Sequence, residues 1–116
     1  MNYKLINTEY LESVSGGDKE IVSELITLFR EQIVEITNEM RSFYSRADYH
    51  SLGMLAHKAK SSVAIMGMTD LANMLKTFEL EGKEGKNPEN YESYINRYER
   101  DSNEAAKELE HYISNL

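Results

Sequence analysis

The fold class this sequence predicts is all-α: an antiparallel up-down-up-down four-helix bundle with a short N-terminal lead-in helix. Apolar residues recur at three- and four-residue steps through four long segments, and no segment alternates with the period of two that marks a strand. Short connections separate those segments, which in a helical protein makes successive helices antiparallel neighbours. Turn signals at "SGGD" (15 to 18), "RAD" (46 to 48), "MGMTD" (66 to 70) and "EGKEGKNPE" (81 to 89) mark the boundaries.

Residues 8 to 13, around Tyr10 and Leu11, form the lead-in. In the first long helix Ile21, Leu25, Leu28, Phe29, Ile33, Ile36, Met40 and Phe43 make the apolar stripe, with Asp18 as N-cap and Glu20 in the first turn. The second starts after Asp48, carries Leu52, Leu55, Ala59, Val63 and Met66 on one face, and stops at Gly67, a residue type suited to the left-handed position that ends a helix. Thr69 or Asp70 caps the third, whose stripe is Leu71, Leu75 and Phe78 and which is expected to end before Gly82. Asn87 and then Pro88 open the fourth, along which run Tyr91, Tyr94, Ile95, Tyr98, Ala105, Leu109, Tyr112, Ile113 and Leu116.

The 116 residues read as one domain over 1–116, long enough to bury roughly two thirds of the surface of the unfolded chain. With 41% hydrophobic and 28% charged residues, the composition is that of an ordinary globular chain. Zero cysteines removes disulfides, thiol catalysis and thiolate zinc sites. No apolar stretch is long enough to span a bilayer, and "MNYKLINTEY" lacks the apolar region of a secretory signal, so the chain is expected to be cytoplasmic. Met1 and a closing terminal helix fit a free-standing module. A net charge of -7 repels phosphate backbones and anionic lipids, arguing against nucleic-acid and membrane partners and making any basic patch informative.

Such a patch surrounds His57. At about 100° per residue, Leu55, Ala59, Val63 and Met66 lie opposite His57, which therefore faces solvent. Its expected surface neighbours are Gly53, Lys60, Ser61 and Ala64, with His50 and Met54 toward the N-terminus. A glycine inside a helix costs roughly 0.5 to 1 kcal/mol relative to alanine, so small residues around an exposed ring read as room for something to approach. An unperturbed imidazole, with a pKa of about 6.5, is mostly neutral near pH 7 and keeps a nucleophilic lone pair on one ring nitrogen. Lys60 and Lys58 supply cations suited to an incoming phosphoryl group.

His57, Lys60, a small residue at 61, Ser62, Ala64 and Gly67 resemble the signature H-x-x-K-G-S-x-x-x-x-G of histidine-containing phosphotransfer (HPt) domains of two-component phosphorelays. The likeness extends along the chain through "GGD" and "LFREQ" in the first long helix and "LANMLKTFE" after the glycine. It implies a bacterial-type phosphorelay intermediate in which His57 accepts a phosphoryl group from a receiver aspartate or a kinase and passes it to another receiver. The implied partners are receiver domains and a hybrid sensor histidine kinase, with the module itself monomeric and free of cofactor. Mg2+ is expected on the receiver.

Family members often place Gln or Glu on the following helix, bonded to the ring nitrogen that is not phosphorylated, and Glu79 stands there. By helical position alone, Glu79 is equally a rim carboxylate paired with Lys76. The docking face implied comprises Gly53, Met54, Lys58, Ser61, Ala64, Gly67 and Met68. Ser61 departs from the family, which usually has glycine there, and Ala59 replaces a larger apolar residue.

Other chemistries fit less well. His50 and His57, seven residues apart, are too distant to share a metal, and no third ligand converges in sequence. "GKEGKN" lacks the spacing of a phosphate-binding loop, and no glycine-rich nucleotide box exists, so the chain is not expected to be a kinase. His111 reads as a surface residue and the tyrosines of the last helix as packing. The alternative from another class is a helical adaptor bundle that carries no phosphate.

Overall fold

The computed structural model describes residues 3–116; the start at Met1 lies outside them. Five α-helices follow in order, with no strand among the described residues: α1 (Thr8–Ser15), α2 (Lys19–Ser45), α3 (Tyr49–Ile65), α4 (Thr69–Glu84) and α5 (Tyr91–Ser114), the last preceded by a 3-10 turn, Pro88–Asn90. Helices α2 to α5 form the up-down-up-down bundle and α1 is the lead-in. Gln32 meeting Ser62 and Glu35 meeting Lys58 set α3 antiparallel to α2, while Arg30 with Glu110 and Arg41 with Glu99 set α5 antiparallel to α2.

Caps define most boundaries. Asn7 accepts from the Tyr10 N–H, Asp18 from the Glu20 and Ile21 N–H groups, and Asp48 from the Ser51 N–H. Gly67, at φ 73°, supplies the left-handed turn after α3. At α4 the expected cap is absent: neither Thr69 nor Asp70 occupies the cap position, which falls to Met68 with no side-chain cap bond. The link between α3 and α4 is so short that Met68 must serve as its last residue, and its thioether packs into the core at 2% exposure. Asp70 instead complements the dipole from the first turn. Helix α4 also runs past its expected end: Gly82 lies inside it, and Gly85, at φ 67°, ends it.

The core follows the helical stripes with one shift of phase. In α2 the buried positions are Val22, Ile26, Phe29, Ile33, Ile36, Thr37 and Met40, whereas Ile21 and Leu28 are exposed. Apolar residues occupy both candidate rows of the first turns, and the position of the neighbouring helices decides between them. In α5 the buried series Tyr91, Ile95, Tyr98, Ser102, Ala105 and Leu109 steps by four and three, while Leu116 remains exposed. The segment before α1 is tied across the bundle end: Leu5 and Ile6 N–H groups donate to Glu108, Asn7 N–H to the Met66 carbonyl, and the Tyr3 hydroxyl meets His111 Nδ1 at 2.8 Å.

Candidate phosphotransfer site on α3 and α4

The site is built where α3 and α4 approach most closely. Gly53 and Gly82 face each other: a Cβ on Gly53 would fall 2.7 Å from the Lys83 nitrogen and 2.8 Å from the Glu79 carbonyl oxygen, and one on Gly82 would fall 2.9 Å from Gly53 Cα. These contacts are to backbone, which a side-chain rotation cannot relieve, so alanine at either position would push the helices apart. One turn along α3 from Gly53 stands His57, and three residues before Gly82 on α4 stands Glu79. The narrow crossing lets a side chain as short as glutamate reach across.

The imidazole of His57 is exposed and its Nδ1 lies 3.0 Å from Glu79 Oε1. Glu79 is buried, with its residue only 7% exposed, and every polar contact it makes is with a donor. Oε1 also accepts from Lys60 Nζ at 3.2 Å, and Oε2 accepts from Lys83 Nζ at 2.8 Å. The hydrogen bond from Lys83 outweighs desolvation and, with those from His57 and Lys60, holds the Glu79 carboxyl at about 2, well below its ordinary 4.5. An ionised carboxylate only accepts, so Nδ1 carries a proton, and in the neutral ring it is Nε2 that presents the lone pair. Nε2 has no hydrogen-bond partner among the described residues. Two lysines against one carboxylate leave a local surplus of positive charge in a chain of net charge -7.

Of the residues read from the sequence, the structure brings His57, Lys60 and Glu79 together. Pairing of Glu79 with Lys76 is replaced by pairing with Lys83, one full turn on. Ser61 and Ala64 lie exposed beside the ring, and the Ser61 hydroxyl donates to the His57 carbonyl at 3.4 Å. Met54 is 55% exposed. Lys58 turns away toward α2, where its Nζ lies 3.9 Å from Glu35.

Three expected docking residues are placed differently. Gly53 is buried against α4, because the side of α3 on which it lies is the one α4 covers. Met68 is buried in the core for the reason given by the short α3 to α4 link. Gly67 is taken up by the turn and by the N-terminal segment: a Cβ there would fall 2.5 Å from Asn7 Cβ. The site residue missed from sequence is Lys83, which forms a Glu-Lys pair at i, i+4; Leu28, expected in the apolar stripe of its helix, is instead exposed, as is Ile65. Leu28 lies one turn along α2 from Gln32, whose amide oxygen accepts from the Ser62 hydroxyl of α3.

No group of three or more potential metal ligands occurs among the described residues, and no helix among them is long and apolar enough to cross a membrane. Neither a curated protein nor a solved structure gives a significant match to the chain. The family model described as "Hpt domain" matches residues 24–116, the stretch that holds α3, α4, His57 and Glu79. That match covers most of the chain and coincides with an all-helical bundle carrying an exposed histidine; the chain belongs to the Hpt domain family, whose members are histidine phosphotransfer modules of phosphorelays.

Proposed function

We propose that His57 is the phosphoacceptor of a phosphorelay intermediate, taking a phosphoryl group from the aspartate of a docked receiver domain or from a hybrid sensor histidine kinase and handing it to another receiver. The observation that supports this most is the 3.0 Å contact between His57 Nδ1 and a buried, ionised Glu79 on an otherwise exposed ring. The lone pair of Nε2 attacks phosphorus, the Nε2–P bond forms, and the P–O bond to the receiver carboxylate breaks, its electron pair leaving with that carboxylate. The proton on Nδ1 stays in place, so the phosphorylated ring is cationic and Glu79 stabilises it. In the reverse direction a receiver carboxylate attacks phosphorus and Nε2 leaves as neutral imidazole.

The chain's own contribution is position and charge. Lys60 lies one turn from His57 and supplies a cation for the phosphoryl oxygens, while the receiver brings Mg2+. The receiver docks on the exposed face of α3 around Met54, Ser61 and Ala64, with Lys58 at its edge toward α2. The module acts as a monomer in the cytoplasm and makes no use of nucleic acid, membrane or ATP.

Incubation with a phosphorylated receiver tests the reading. The expected result is acid-labile, alkali-stable label on the wild-type protein and none on His57→Gln. Absence of transfer to or from every receiver of the source organism leaves the adaptor bundle as the function.

A further inference from the structure

We propose that Lys83 is a positioning residue for phosphotransfer: it neutralises Glu79 from the α4 side, so that Lys60 is free to leave Glu79 for the phosphoryl group while the imidazole stays held. The inference rests on the reading of His57 as phosphoacceptor. Its basis is the unequal sharing of one carboxylate. Oε1 serves two donors, His57 Nδ1 and Lys60 Nζ, both from α3, whereas Oε2 serves Lys83 Nζ alone.

The two lysines are not equivalent. Lys83 sits four residues after Glu79 on the same helix, a spacing that keeps the pair together whatever happens on α3. Lys60 shares its helix with His57 and reaches Glu79 across the seam, so it is the cation that can exchange one anion for another when the phosphoryl group arrives. Without Lys83, Glu79 would be a buried carboxylate held only through Oε1, by Lys60 and the His57 Nδ1–H, with no donor on Oε2. Moving Lys60 to the phosphoryl oxygens would then leave the carboxylate to the imidazole alone, with Oε2 undonated, which is costly for a group only 7% exposed. Lys83 removes this conflict and keeps Glu79 accepting from Nδ1 throughout.

Lys83 itself is well exposed, at 40% of its side chain, so its replacement leaves the core untouched. The test compares five proteins: wild type, Lys83→Gln, Lys83→Arg, Glu79→Gln and the Lys83→Gln/Glu79→Gln double variant, each checked for helical content and thermal melting. Rates of label transfer from a phosphorylated receiver are read alongside the Glu79 carboxyl titration, followed by carbon NMR. Lys83→Gln is expected to slow transfer roughly fivefold, Lys83→Arg to restore it to within about twofold, and Lys83→Gln to have less than about a twofold effect once Glu79 is already Gln. In Lys83→Gln the Glu79 titration moves up from about 2.

A wild-type rate in Lys83→Gln, an equal loss in the Glu79→Gln background, or an unmoved Glu79 titration each overturns the proposal. The titration is independent of transfer. A wild-type protein that takes no label therefore sinks the phosphotransfer reading while the Glu79 midpoint still decides whether Lys83 holds the carboxylate.

Discussion

The seam between α2 and α5 and the seam between α3 and α4 are both antiparallel helix pairs of one bundle, but they are held in different ways. Helices α2 and α5 contribute large buried side chains, Phe29, Ile33, Ile36 and Met40 from one and Ile95, Tyr98 and Leu109 from the other, with ion pairs such as Arg41 to Glu99 at the surface. Helices α3 and α4 meet through Gly53 and Gly82, and beside that contact lies a charged cluster centred on a buried carboxylate. Bulky side chains leave an interface some freedom to readjust, since a neighbouring rotamer can move. Backbone against backbone has no such freedom, and the distance it sets is what lets Glu79 meet His57 at 3.0 Å. The first seam supplies stability and the second supplies geometry.

Substitutions in the two seams should therefore separate stability from activity. The largest expected loss of stability comes from Phe29→Ala, which empties a site only 1% exposed and costs about 3 to 5 kcal/mol by chemical denaturation. Wherever that variant remains folded, its rate of label transfer should match wild type. Gly53→Ala costs less, about 1 to 3 kcal/mol, because overpacking against the Lys83 nitrogen outweighs the gain in helix propensity of up to about 1 kcal/mol. Unlike Phe29→Ala, it should slow transfer by about tenfold or more in fully folded protein, since it moves Glu79 away from the ring. Equal transfer rates in the two variants would dissolve the contrast between the seams.

How far the sequence could be read follows the same division. The α2 to α5 side was legible because burial there repeats with the helical period, apart from the choice between Ile21 and Val22 rows, which depends on where the neighbouring helices lie. On the α3 to α4 side the sequence named His57 and Lys60 and left Glu79 open between the ring and Lys76, and the structure brings the three together, but the place of its glycines was not legible. Gly82 resembles a helix terminator and Gly53 a cleared surface until the partner helix is placed, because glycine carries no side chain whose polarity reports its surroundings. Met68 misled for a related reason: an apolar residue next to a turn is as compatible with a docking surface as with the core it actually fills.

Acid should distinguish the seams through Glu79. A carboxyl held at about 2 in the fold against 4.5 ordinarily contributes stability that is present above about pH 4.5 and lost as pH falls toward 2. Wild type should lose stability over that window, and Glu79→Gln should lose less over the same window, the difference between the two curves isolating this group. A wild-type curve that parallels Glu79→Gln would mean that the cluster does not hold the charge. The smallest effect is expected at the surface of the other seam. Arg41→Met, which removes the exposed pair with Glu99, should change stability by less than about 1 kcal/mol and leave transfer unchanged.

In the proposed transfer Glu79 holds the Nδ1 proton, so that Nε2 is the attacking nitrogen. Phosphorylation of protein carrying nitrogen-15 in its histidine rings, followed by phosphorus and nitrogen NMR, tests it directly. The expected result is a phosphorus-nitrogen coupling to Nε2 of His57, with Nδ1 still protonated. Coupling to Nδ1, or to a ring nitrogen of His50 or His111, would contradict it.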